Sequence, residues 1–264
     1  MATTKIRYNQ VKTGLPTGGD SNYASTSLIL NMDGADGSTN FSDESSKSHA
    51  VTAVGSAAVS TVESKFGGGS LYLNGTSDYL DIPSHVSFDF GSSDFSIEAW
   101  VYPEPTNAAY PSFLSSTTGW SAGASSLRFD NTGQSNKFTF HLNGASPGDP
   151  FLASSAQASG HNSWYHVALV RNGNTFNLFI NGALEDSGAF ASSYRPDLGN
   201  LRIGLATWDG ANGYYKGYVD DLRITKGVAR YTSAFSVPTS EHPSFEGYTG
   251  KVIVAGEDGT MELQ

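Results

Sequence analysis

Phe95-Ser-Ile-Glu-Ala-Trp-Val-Tyr102 decides the reading of this chain. Successive side chains of an extended backbone point to opposite faces, so Phe95, Ile97, Ala99 and Val101 share one face while Glu98, Trp100 and Tyr102 share the other. Bulky groups on both faces predict a central strand, covered on both sides. Working outward, Val167 to Ile180 reads as two alternating runs that turn at Asn172-Gly173, a dipeptide that tolerates the positive φ angles of tight hairpins. Further stretches of strand length are Leu28–Met32, Ser70–Leu73, Lys137–Leu142, Trp164–Val170, Thr175–Ile180, Leu201–Leu205 and Gly217–Thr225, and Asn-Gly pairs at Asn74, Asn143 and Asn181 close several of them. No segment between them carries a long apolar stripe at helical spacing, which excludes a βαβ sheet. The expectation is all-β: a two-sheet antiparallel sandwich or jelly roll.

Composition agrees. Charged residues are only 15% of the 264, aromatics reach 12% and glycines number 30, a balance that suits a turn-rich β protein and not a disordered acidic tail. Cysteine is absent, which removes disulfides, thiolate nucleophiles, Cys-based zinc sites and iron–sulfur clusters. A formal charge of -10 with 15 scattered Lys and Arg repels a phosphate backbone, so nucleic acid is not an expected partner. No apolar run is long enough to cross a bilayer and the first residues hold no apolar signal core, so a soluble chain without membrane insertion is expected.

The chain divides into an arm at 1–26, a β body at 27–238 and a tail at 239–264. The arm is polar and without periodicity, and reads either as a loose terminus or as an attachment or oligomerisation segment. In the tail, Val252–Ala255 and Met261–Leu263 flank Gly256-Glu-Asp-Gly259 and predict a short hairpin, which needs the body or another chain to be stable. In Gly217–Thr225, plain alternation puts Asp220 on the face of Leu222 and Ile224, so a carboxylate is expected to face the core and to require hydrogen bonds or a cation there.

Six blocks now resemble a known family in order: Leu28-Ile-Leu-Asn-Met-Asp-Gly-Ala-Asp-Gly37; Lys65-Phe-Gly-Gly-Gly-Ser-Leu-Tyr-Leu-Asn-Gly75 with Asp78-Tyr-Leu80; Asp94–Tyr102; Trp164-Tyr-His-Val-Ala-Leu-Val-Arg171; Phe179-Ile-Asn-Gly182; and Gly217-Tyr-Val-Asp-Asp-Leu-Arg-Ile-Thr225. They resemble the laminin-G-like, concanavalin-A-like jelly-roll modules. The ending Arg223–Thr232 is similar to the version found in bacteriophage and marine microbial proteins. The resemblance implies a binding or structural module, and it does not identify a ligand, because this fold hosts unrelated functions. Related modules hold calcium between the exit of the first strand and the last strand, which implies a structural Ca2+ at Asp33, Asp78 and Asp220. The alternative for Asp33 and Asp78 is an Asx turn, and for Asp220 a cap on a neighbouring strand.

Catalysis finds little support. Glycoside hydrolases of this fold class set two carboxylates across a cleft, and here Glu98 and Glu104 are the only nearby pair, with Glu104 beyond the strand end between two prolines. Gly-x-Ser-x-Gly and His-Glu-x-x-His are absent, and His161 and His166 read as polar side chains near a strand. No catalytic residue is expected. Sugar binding needs aromatic faces beside amide and carboxylate groups. Trp120 in one loop, and Trp208, Asp209, Asn212, Tyr214 and Tyr215 in another, meet that description; the other reading is that these rings cap the sandwich or pack on a neighbouring subunit. The function expected is a non-enzymatic bacteriophage virion protein, a capsid decoration or tail-fibre-like appendage. It would assemble as a homotrimer with other virion proteins, and its outward jelly roll would contact surface glycans. The alternative is a free, extracellular carbohydrate-binding lectin or adhesin.

Overall fold

The computed structural model describes residues 19–116, 125–130, 136–142, 151–155, 161–206, 213–245, 253–255 and 261–263. Its first strands are β1 (Thr26–Leu30), β2 (Thr52–Val54), β3 (Ala58–Ser60), β4 (Ser70–Asn74), β5 (Tyr79–Ile82) and β6 (Phe95–Pro103). Then come β7 (Ser112–Ser116), β8 (Ser125–Asp130), β9 (Lys137–Leu142), β10 (Leu152–Ala153), β11 (Tyr165–Asn172), β12 (Thr175–Ile180) and β13 (Ala183–Ala189). The last are β14 (Leu201–Ile203), β15 (Lys216–Lys226), β16 (Ile253–Ala255) and β17 (Met261–Leu263). Among the described residues the only helices are 3-10 turns of three residues.

Two antiparallel sheets stack as a jelly-roll sandwich. One runs β13-β12-β11-β6-β15-β4-β3, with β1 also on β15; the other runs β10-β9-β8-β7-β14-β5-β2. Among the described residues β16 and β17 pair with each other alone. The Phe95 strand lies between β11 and β15, as its two-sided bulk predicts. Leu28, Leu71, Ile97, Val101, Leu169 and Val219 from the first sheet meet Leu80, Ile82, Phe113, Leu127, Phe140 and Ile203 from the second in one core. Each such burial contributes about 1.5–3 kcal/mol. The hairpin at Asn172 forms, with Val167 opposite Ile180 and Asn172 opposite Thr175. Asn181 and Gly182 both take positive φ, 50° and 79°, and join β12 to β13 by the primed turn that the dipeptide favours.

One expectation about faces is corrected. β15 carries a bulge: Asp220 pairs with Trp100 and Arg223 with Glu98, so two residues separate them on β15 where β6 has one. Asp221, at φ 48°, absorbs the extra residue in the left-handed conformation that Asp and Asn adopt most readily among non-glycines. Alternation is thereby reset. Val219, Leu222 and Ile224 all enter the core, while Asp220 and Arg223 stand on the outer face with Trp100 and Glu98. Asp220 does not share the face of Leu222 and Ile224.

Residues at both ends of the body cover that outer face. Asp20 is buried and its N–H donates to the Phe245 carbonyl at 3.0 Å. Tyr231 and Phe235, stacked at 3.6 Å with an interplanar angle of 6°, lie over Ala168, Val170 and Phe179 as a second small core.

Candidate functional site

The outer face of the eight-stranded sheet is a series of rows, one side chain per strand, because paired residues on antiparallel strands share a face. Their covering distinguishes them. The row Arg223–Glu98–Ala168 and the row Thr225–Ser96–Val170 lie under Tyr231, Phe235, Arg230 and Asp20. Glu98 is 1% exposed and accepts from Arg223 Nε at 3.0 Å, Arg223 Nη2 at 2.7 Å and Tyr231 Oη at 2.7 Å. Arg223 and Arg230 also hold Asp20, so the segment before β1 and the segment after β15 are bound through the same charges. Burial pushes the Glu98 carboxyl up, but Arg223, His242 and His166 outweigh it and hold it well below the usual carboxylate range. A carboxylate so enclosed and so fully engaged reaches no substrate. Its role is to fasten the two flanking segments to the sheet.

The next row is Asp220–Trp100–His166. Lys65 Nζ sits 3.7 Å from the Trp100 ring centroid and Phe66 meets that ring edge-on at 6.0 Å, while the backbone N–H groups of Lys65 and Phe66 donate to Asp220 Oδ2 at 2.7 and 3.1 Å. His242 docks beside it, its N–H donating to Asp221 Oδ1 at 2.8 Å. Burial raises Asp220 to about 7 and Asp221 to about 8, and lowers His242 to about 3.

The row after that is Tyr72–Tyr218–Tyr102–Trp164, four aromatic rings on four neighbouring strands or their ends. Successive ring centroids are 4.9, 5.6 and 5.5 Å apart. Tyr72, Tyr102 and Trp164 remain partly exposed, and Tyr218 is 6% exposed between them. Gly217 makes this close packing possible: at φ 130° a Cβ there would lie 2.1 Å from the Tyr102 carbonyl oxygen. Two carboxylates border the row. Burial first and Glu104 second raise the Tyr72 and Tyr218 hydroxyls, and burial with Glu63 raises Tyr102, so all three remain neutral hydrogen-bond donors. Lys216 pairs with Glu104 at 3.6 Å. Beside them a groove of about 440 Å3 is lined by Asn74, Thr76, Pro105, Asn107 and Lys216. Alternation places Tyr102 opposite the core in the sequence, but the adjacency of the four rings depends on strand order, which the sequence reading leaves open.

The residues expected to form sites are placed as follows. Asp78 accepts from Ser56 N at 2.7 Å, Ser77 Oγ at 3.0 Å and Asn74 N at 3.2 Å, so it fastens the turn between β4 and β5. Asp33, just after β1, is exposed, and its charge contributes to raising Asp220. Among the described residues no three His, Asp or Glu side chains are placed to hold a metal ion. The Asp33, Asp78 and Asp220 trio for calcium is therefore not assembled in this geometry, because Asp78 is held at a different turn. Tyr215 is corrected as well: it is 1% exposed and packs edge-on against Phe113 in the core, offering no face to a sugar. Tyr214 is half-buried and its backbone bridges to Ser112 and Leu205. Trp120, Trp208, Asp209 and Asn212 lie outside the described residues.

Comparison with known proteins follows this geometry. Residues 74–230 match the sequence model of the concanavalin A-like lectin/glucanases superfamily. No curated protein matches the sequence. Domain 4 of AbnA, a GH43 extracellular arabinanase from Geobacillus stearothermophilus whose structure holds arabinotriose, superposes on 78% of this chain and 94% of its own, with 18% identity and a TM-score of 0.53. The binding domain of botulinum neurotoxin serotype D/C superposes on 79% of this chain at 17% identity and a TM-score of 0.59. Botulinum neurotoxin type C, whose cell entry depends on two ganglioside molecules, does so on 78% at 15% identity and a TM-score of 0.57. This chain spans about half of each toxin chain. Identities this low show a shared fold.

Proposed function

Because the chain belongs to the concanavalin A-like lectin/glucanases superfamily, we propose that it is a non-enzymatic, lectin-like module that binds saccharides through the Tyr72–Tyr218–Tyr102–Trp164 row. One observation carries this reading: the rows at Ser96, Glu98 and Trp100 lie beneath chain segments, whereas among the described residues the aromatic row keeps three of its four rings partly exposed, bordered by Glu63 and Glu104. Aromatic rings stack on the C–H faces of sugars, and neighbouring carboxylates and phenolic hydroxyls supply directional hydrogen bonds. Domain 4 of the arabinanase, solved with arabinotriose, supports a saccharide ligand. The enclosed Glu98 supports binding without hydrolysis.

The setting proposed is the surface of a bacteriophage virion, supported by the similarity of the Arg223–Thr232 ending to phage modules; an extracellular adhesin is the alternative. The test is to apply the full chain to an array of soluble oligosaccharides and to assay bound sugars for new reducing ends. Binding without cleavage is expected. Cleavage, or an array with no binding, overturns the reading.

A further inference from the structure

Resting on that reading, we infer that the aromatic row selects neutral, soluble oligosaccharide chains of several units and rejects both anionic sugars and flat crystalline polysaccharide. Three features of the row carry this. The first is length: the rings step from strand to strand over four strands, each step near the ~4.8 Å strand spacing, so a chain lying across the strands meets successive rings and gains contacts as it lengthens. A single sugar ring covers one step only. The groove at Asn74 and Asn107 runs alongside the Tyr72 and Tyr218 end of the row, because Asn74 pairs with Lys216 two residues further along the same two strands.

The second feature is tilt. Neighbouring rings are inclined by 48°, 85° and 60°, so faces and edges alternate along the row. A crystalline polysaccharide presents a flat surface and needs coplanar rings to lie on; a single twisted chain fits alternating faces and edges, because each sugar can turn relative to the next. The third feature is charge. Glu63 and Glu104 border the rings, the facing cation Lys216 is paired with Glu104, and the chain carries -10 overall. A carboxylated sugar brought here meets like charge without a free cation among the described groups of the row. A neutral hydroxyl meets acceptors in the carboxylates and in the phenolic oxygens of Tyr72 and Tyr102, whose own protons are directed to Glu104 and Glu63.

The experiment uses calorimetry of the full chain with arabino-, xylo- and gluco-oligosaccharides of one to five units, a sialylated oligosaccharide, and a pull-down with microcrystalline cellulose. Affinity for at least one neutral series is expected to rise tenfold or more from one unit to four, with no sialoside binding and no adsorption to cellulose. Tyr102→Ala is expected to lower that affinity at least tenfold. The charge argument has its own variant, Glu63→Gln with Glu104→Gln, which leaves the rings in place and is expected to admit the sialoside. Preference for the sialoside, adsorption to cellulose, or affinity independent of length overturns the inference and leaves saccharide binding standing. Affinity unchanged in folded Tyr102→Ala moves the site elsewhere. Silence across every sugar removes both the inference and the reading beneath it.

Discussion

Glu98→Gln tests whether the buried ion pairs fasten the chain segments that cover the outer face. Gln is nearly isosteric, so no cavity opens, but Arg223 loses the carboxylate that accepts from its Nε and Nη2 at 3.0 and 2.7 Å. Removing one partner of a buried pair costs about 3–5 kcal/mol, because the remaining charge is left uncompensated. Arg223 keeps Asp20 at 3.3 Å, which places the expected loss near the lower end, about 3 kcal/mol. At about 2–4 °C per kcal/mol for a domain of this size, the melting temperature should fall by roughly 6–12 °C. Thermal unfolding followed by near-ultraviolet circular dichroism measures it. Tyr231→Phe is the calibrating variant: it removes a single hydrogen bond to the ionised Glu98 and leaves both of its bonds to Arg223, and should cost about 1.5–3 kcal/mol. The reasoning is refuted if Glu98→Gln melts no lower than Tyr231→Phe.

Three other outcomes are expected. Asp220 and Asp221 are raised to about 7 and 8, so the folded state holds protons that the unfolded chain releases above its ordinary carboxylate range; stability is full below about pH 4 and is lost as pH rises to about 8. His242, lowered to about 3, acts oppositely, losing stability as pH falls from about 6.5 to 3. Two carboxylates outweigh one imidazole, so urea midpoints should peak on the acid side of neutrality and decline toward pH 8. Asp221→Asn, which tolerates the same φ, should flatten that decline, and an unchanged slope counts against the assignment. Gly217→Ala puts a Cβ 2.1 Å from the Tyr102 carbonyl at a strained φ; the strain alone costs about 1–3 kcal/mol, and an unchanged urea midpoint contradicts the packing described. If the module works as a threefold appendage, light scattering should report three times the 27.9 kDa chain mass, whereas a monomer at every concentration removes the trimer.

The all-β class, the two-sheet sandwich and the central place of Phe95–Tyr102 are legible in sequence because they follow from local periodicity and turn chemistry, properties of adjacent residues. Strands without a clean apolar period are not legible. β7 and β8 read Ser112-Phe-Leu-Ser-Ser116 and Ser125-Ser-Leu-Arg-Phe-Asp130, with serines on much of one face, and β13 is an edge strand with little burial on either side. Sites are hardest to read, because a site is a relation between strands. Tyr72, Tyr102, Trp164 and Tyr218 are scattered over nearly 150 residues, and only the order β11-β6-β15-β4 sets them side by side. The bulge at Asp221 shows the same limit at a single residue. Alternation alone sends Asp220 inward, whereas pairing with two neighbours at once forces the extra residue out of register and turns Asp220 to the outer face. Sequence determines which side chains alternate and where the chain turns; tertiary structure decides which strands are neighbours and which face is left uncovered, because both depend on the summed packing of segments distant along the chain.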